Sequence, residues 1–203
     1  FRAPQATELF RLQAGQQIAE LDSEDLLSAE LGLRGQVNDL NYLLSAYSMT
    51  KRNVIFQDSN RQNISDGETS HDGVELQLRQ GSAQGFYWQF NLSLANHRYD
   101  SDLTLSRQSI KGNEIDTAPR HMGSVQLGWQ GEKLKTEAEW VRVGDYYLNP
   151  ENTAQYDGHD LFNIRVDYQL NDRLKLQGRL LNLLDRDYAE RADFGFGSYR
   201  YFV

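Results

Sequence analysis

The chain has 203 residues, no cysteine and a formal net charge of −8. That charge argues against nucleic acid as a partner, because phosphate binding needs clustered Lys and Arg, and the missing thiols exclude disulfides and thiolate metal sites. Mean hydropathy is −0.69, and no stretch approaches the roughly 20 apolar residues that a spanning helix needs, which excludes a membrane helix.

The chain opens on Phe1-Arg2-Ala3-Pro4 with neither an initiator Met nor a signal peptide, and so reads as a fragment. Residues 5–26 show some helical spacing in Leu9, Leu12 and Ile18, but Gly15 weakens it and an irregular loop is expected. Strands are then predicted near 24–36, 38–50, 70–80, 85–98, 120–130, 133–146, 160–170 and 172–184. Tight turns fall at residues 35–38, 80–83, 130–132 and 171–172, where Gly, Asn and Asp tolerate positive φ. Long polar segments fall between them, at 51–70, 98–118 and 144–160. Pro4, Pro119 and Pro150 lie in loops or at a strand's first residues, as a side chain without a donor requires.

Within the strands the residues alternate. Phe162, Ile164, Val166, Tyr168 and Leu170 interleave with Asn163, Arg165, Asp167 and Gln169, and Phe86, Trp88, Phe90, Leu92 and Leu94 do the same against their neighbours. This is the pattern of a barrel wall between lipid and a wet lumen, and the alternation of short and long connections matches periplasmic turns and outer loops. The expectation is therefore an all-β, antiparallel up-and-down transmembrane β-barrel in the outer membrane of a Gram-negative cell. Trp88, Trp129 and Tyr168 fall on the apolar parity and would sit in aromatic girdles. A soluble extracellular β-sandwich binding carbohydrate would also alternate. It differs in strand length, since ten or more residues match a tilted bilayer crossing and sandwich strands run nearer five or six.

Five phrases in order carry a family resemblance: Phe1-Arg2-Ala3-Pro4 with Glu8-Leu9, Glu30-Leu31-Gly32-Leu33-Arg34-Gly35, Asp72-Gly73-Val74-Glu75-Leu76, Asn182-Leu183-Leu184-Asp185-Arg186-Asp187-Tyr188, and Tyr199-Arg200-Tyr201-Phe202. Together they resemble the C-terminal part of a TonB-dependent outer-membrane receptor, over essentially the whole chain. The resemblance implies about eight later strands of a roughly 22-stranded, plugged barrel, with residues 1–203 as one portion lacking the plug and the final strand. It further implies active uptake of a scarce nutrient, a ferric siderophore being the commonest cargo with cobalamin, heme and sugars left open, energised by the TonB complex through the missing plug. A passive porin-like barrel is the alternative, discriminated by whether a plug is encoded.

For binding, the four histidines are placed at the outer mouth, and parity sends His71, His97 and His159 toward the lumen. His121 shares the face of Val125, Leu127 and Trp129 and points outward unless a bulge intervenes. Imidazoles there could touch a ferric or anionic ligand, although an ordinary polar rim is the simpler account and no pair has the spacing of a dedicated metal site. Tyr146, Tyr147 and Tyr156 share one long loop and suit a rigid aromatic ligand, or simply pack that loop. Arg186 and Arg191, among Asp185, Asp187, Glu190 and Asp193, read as a salt-bridged outer loop or a contact for anionic ligands and lipopolysaccharide phosphates. No cofactor is expected. Catalysis finds no support: there is no Gly-x-Ser-x-Gly elbow, no His-Glu-x-x-His and no phosphate-cradling glycine loop.

Overall fold

A computed structural model describes residues 1–10, 15–57, 62–81, 84–105 and 108–189. A short helix, α1 (Ala6–Phe10), precedes the strands β1 (Asp25–Val37), β2 (Leu40–Gln57), β3 (Asn63–Gly81) and β4 (Gly85–Tyr99). Two-residue strands β5 (Thr104–Leu105) and β6 (Gln108–Ser109) follow, then β7 (His121–Gln130) and β8 (Leu134–Val143). The short pair β9 (Tyr146–Tyr147) and β10 (Gln155–Tyr156) leads into β11 (His159–Asn171) and β12 (Leu174–Leu180). The eight long strands form one antiparallel sheet in the order β1-β2-β3-β4-β7-β8-β11-β12, each hairpin neighbour paired with the next.

Ala6–Phe10 is helical where an irregular loop is expected over residues 5–26, whereas residues 16–22 are irregular as expected. The Glu8 carboxylate accepts from the backbone N–H of Gln5, 2.6 Å away, which caps the helix start. The turns also sit slightly differently from the expected positions. Val37 pairs with Leu40, so Asn38-Asp39 is the two-residue turn, and Asn38 takes φ 51° as such hairpins require. At the other end of the sheet the Asn171 carboxamide oxygen accepts from the N–H groups of Arg173 (2.9 Å) and Leu174 (3.0 Å), an Asx turn that fixes the register of β11 on β12.

Register sorts the faces. Tyr42, Leu78, Phe90, Val125, Trp140 and Phe162 lie in one row of Cα partners across six strands, all on one side. The row starts near the short-turn end at Tyr42 and finishes near the long-loop end at Phe162, so the strands are staggered as a tilted barrel wall demands. On the opposite side stand Tyr47, Glu75, Gln89, Gln126, Glu137 and Arg165. Lumen-side glycines receive aromatic rings from the adjacent strand: the Tyr47 ring covers Gly73 and the Tyr87 ring covers Gly128. These ring-on-glycine contacts fill the missing side chain and pin the pairing.

The sandwich alternative fails on burial. Among the described residues the buried apolar side chains are Ala19, Tyr99, Ile110, Tyr146 and Ala189, and apart from Tyr99 at the end of β4 and Tyr146 in β9 they belong to irregular segments. The outward row is open instead, with Leu31 at 80% and Phe86 at 83% exposure. One sheet without a second sheet against it must cover that surface with something other than protein, and hydrocarbon is the solvent that an apolar band of this height requires.

The band has a visible upper edge. On the outward face Val74 and Leu94 give way to Asp72 and Asn96, while above Trp140 and Phe162 the Arg142 guanidinium pairs with Asp160 at 2.7 Å. Strands β2 and β3 run 18 and 19 residues, well past the roughly 9–11 that cross a bilayer. The segment expected as a loop at 51–70 is therefore mostly a tall hairpin, with Val54 partnered to Gly67 and Phe56 to Ile64. By contrast β8 stops at Val143 and β12 at Leu180, short of the expected ends.

Candidate functional site

The lumen face carries a continuous polar network. Arg165 on β11 forks between Glu137 (2.8 Å) and Glu139 (2.7 Å) of β8. Tyr87 of β4 donates its hydroxyl to Glu137 at 2.8 Å, while Gln126 of β7 and Asn163 of β11 donate to Glu139 at 2.8 and 2.9 Å. Four strands are thus tied side by side by charge-assisted hydrogen bonds. The carboxylates are fully engaged in structural contacts and carry no geometry for acid-base chemistry.

Above the band, the connections brace one another. Residues 108–120 return alongside the upper end of β4, bonded to the backbone of Ala95, His97 and Tyr99, and Ile110 among them is fully buried. The Tyr99 hydroxyl donates to Asp116 at 2.7 Å, and burial beside that carboxylate raises the Tyr99 pKa. This loop is stitched to residues 144–158. Asn113 donates to the Pro150 carbonyl at 2.9 Å. Asn152 accepts from the Glu114 N–H (2.8 Å) and donates to the Glu114 carbonyl (2.9 Å). The Thr117 N–H donates to the Tyr147 carbonyl at 2.8 Å. Within the second loop Asn149 accepts from the N–H groups of Thr153 and Ala154, both at 3.1 Å. Such cross-bracing holds the outer surface in one shape before any ligand arrives.

The opening segment is latched to the same end. Arg2 pairs with Glu24 at 2.7 Å and Glu8 at 3.1 Å, and Lys51 reaches Glu24 at 3.2 Å. Hydrogen bonding from Arg2, against the opposing effect of burial, holds the Glu24 carboxyl at about 2.

The expected binding residues separate into two groups. His71 and His97 stand opposite each other on β3 and β4, facing the lumen just above the apolar band. Their Nδ1 atoms are 2.9 Å apart and the Thr69 hydroxyl lies 3.0 Å from His71 Nε2. Burial lowers the pKa of both rings, which leaves them neutral near pH 7. His159, Tyr146 and Tyr156 gather elsewhere. The Tyr156 hydroxyl is 2.9 Å from His159 Nδ1 and accepts from the Ala189 N–H at 3.2 Å, while the Tyr146 ring lies tilted 5.1 Å from Tyr156 and Tyr188 lies 4.8 Å from His159. Tyr146 is 5% exposed, so its ring serves as a small loop core. Tyr147 is half-buried at the seam between the two loops. His121 pairs with Leu94 on the outward face and covers Gly144, as its parity implied. Arg191 lies outside the described residues. No group of three or more His, Cys, Asp or Glu side chains among the described residues is arranged to hold a metal.

A single staggered antiparallel sheet, apolar outside and hydrogen-bonded inside, with short turns at one end and braced loops at the other, defines an outer-membrane β-barrel wall. The family model for TonB dependent receptor-like, beta-barrel proteins matches residues 1–183, and the chain belongs to that family, whose members are transporters and receptors of the Gram-negative outer membrane and not enzymes. It is 25% identical over 195 residues to the vitamin B12 transporter BtuB of Vibrio cholerae serotype O1, an alignment covering 93% of this chain and 30% of that protein. Among solved structures the fold resembles the copper transporter OprC, with TM-score 0.79 and 19% identity over 98% of this chain and 33% of that one. It also resembles the ferric citrate transporter FecA, with TM-score 0.77 and 18% identity over 88% of this chain and 30% of that one. The chain thus spans about a third of the length of the proteins it matches.

Proposed function

We propose that this chain is the C-terminal part of the barrel wall of an active uptake receptor, which captures a ferric siderophore at its outer mouth and is energised by the TonB complex through a plug. The observation that carries the reading is the braced outer surface. Two loops joined by four backbone and side-chain hydrogen bonds form a preformed rim over a polar lumen, which suits selective capture of a rigid ligand better than free diffusion through a passive pore. His71, His97 and Tyr147 are the rim residues proposed to meet the ligand. The aromatic group of Tyr146, Tyr156 and His159 shapes the loop behind them. Lipopolysaccharide and lipid surround the outward face.

A second reading, cobalamin as cargo, is favoured by the relatedness to a vitamin B12 transporter. The two are separated by uptake of radiolabelled iron chelates and of labelled cobalamin in cells that have this receptor as their sole candidate. The proposal expects accumulation of a ferric siderophore that disappears when the receptor or TonB is deleted. Uptake that persists without TonB would overturn the active mechanism, and uptake of cobalamin alone would overturn the siderophore.

A further inference from the structure

The two imidazoles of β3 and β4 form a chelating geometry that the rim role does not exploit. With metal–nitrogen bonds of about 2.0–2.1 Å, donors 2.9 Å apart subtend roughly 90° at a shared ion. That is a corner of a square or an octahedron and is too narrow for a tetrahedron. The two Nδ1 atoms share one proton in a hydrogen bond, which a bound ion would displace, the ring centroids are 5.0 Å apart, and the Thr69 hydroxyl beside His71 Nε2 orients one ring from behind, as outer-shell partners of metal-bound imidazoles do. Met49 of β2 is the Cα partner of His71 on the side away from His97, so the two rings face each other without it. Lys51, a cation acting on His71, is paired with Glu24 at 3.2 Å.

We propose that His71 and His97 form a two-imidazole chelating corner for a copper(II)-class ion, free or on a chelate with two adjacent open positions. Tetragonal geometry with nitrogen donors selects copper(II) or nickel(II) over zinc, and copper(II) stands above both in the affinity order. The remaining equatorial positions belong to water or the cargo's own donors, which makes the corner a docking point and not a closed structural site. It rests on the geometry of the wall and does not depend on which nutrient the receptor carries.

The test is copper(II) titration of the whole receptor containing this chain, purified in detergent, followed by calorimetry and electron paramagnetic resonance. Wild type should bind one ion in a tetragonal spectrum with coupling to two nitrogens. His71→Ala and His97→Ala should each weaken binding by at least about 100-fold, the scale on which losing one arm of a chelate acts, and reduce the coupling to one nitrogen. Met49→Leu and His159→Ala should both retain the two-nitrogen spectrum of wild type. Heat-modifiable gel mobility verifies that each variant is folded, with His97→Asn as the milder substitute if the alanine variant is not. Copper binding that survives both histidine substitutions with an unchanged spectrum, or no binding by wild type at micromolar copper, would overturn the site.

Discussion

Replacing Val166 with Arg should destabilise the inserted barrel by about 2–4 kcal/mol, the range for a cation at the bilayer midplane. The position is the middle of five outward residues on β11, between Phe162 and Leu170, flanked across the sheet by Thr136 and Gly178. Outward residues recur about every 6.6 Å along a strand, which at a 35–45° tilt is roughly 5 Å along the membrane normal. Phe162 and Leu170 therefore lie about 10 Å above and below Val166, close to the edges of a band about 25 Å tall. Arg at either end should cost only about 0–1 kcal/mol, the more so at Phe162, where the Arg142–Asp160 pair already supplies a polar boundary. Arg at Ile164 and Tyr168 should fall between. Gln169→Arg, on the wet face, should be nearly neutral. The assay is guanidinium unfolding of the receptor from lipid vesicles, read by tryptophan fluorescence, with all six variants compared in one lipid. A cost at Val166 within about 0.5 kcal/mol of that at Gln169, or a flat profile from Phe162 to Leu170, would refute the assignment of faces and depth.

Three other perturbations probe the wall and its rim. A double-mutant cycle of Arg165→Gln with Glu137→Gln should give a coupling of about 1–2 kcal/mol, below the 3–5 of a fully buried pair because Arg165 is 34% exposed; coupling near zero would show the contact to be idle. Gly128→Val should cost about 1–3 kcal/mol by overpacking, because its side chain would enter the space of the Tyr87 ring, and Tyr87→Ala in the same chain should relieve part of that cost; additive losses in thermal unfolding would contradict the packing. Because the Glu24 carboxyl is depressed to about 2, its latch on Arg2 and Lys51 is at full strength above its ordinary pKa of 4.5 and weakens as the pH falls from there toward 2. Hydrogen-exchange protection of the residues around Arg2 and Glu24, taken relative to the intrinsic rate at each pH, should fall across that window and should show no such fall in Glu24→Gln.

How much of this was legible in the sequence depends on which solvent each segment meets. The hairpins of β4 and β11 announced themselves because lipid on one side and water on the other enforce a period of two. The upper halves of β2 and β3 did not. Above Thr50 neither face meets lipid, Lys51, Arg52 and Asn53 follow one another, and irregular pairing around Val54 breaks any residual alternation. Likewise Leu180 to Leu184 looked like strand by composition, yet Asn182 and Asp185 take positive φ and end the ladder. The histidine pair was hidden for a different reason. Its members are 26 positions apart and meet only because the β3–β4 register places Gly81 opposite Tyr87; a one-residue slip would send one ring to the other face. The aromatic group of Tyr146, Tyr156 and His159 needed loop geometry that no periodicity encodes.

The most direct measurement is accessibility along β11 in the membrane. The absence of cysteine from this chain lets single cysteines be placed at each position from 162 to 170, spin-labelled in the inserted receptor, and relaxed by oxygen or by a water-soluble nickel chelate. Labels at 162, 164, 166, 168 and 170 should favour oxygen and those at 163, 165, 167 and 169 the nickel chelate, with the oxygen preference greatest at 166. A profile without that two-residue alternation, or with its phase reversed, would contradict a wall that turns its apolar side to lipid.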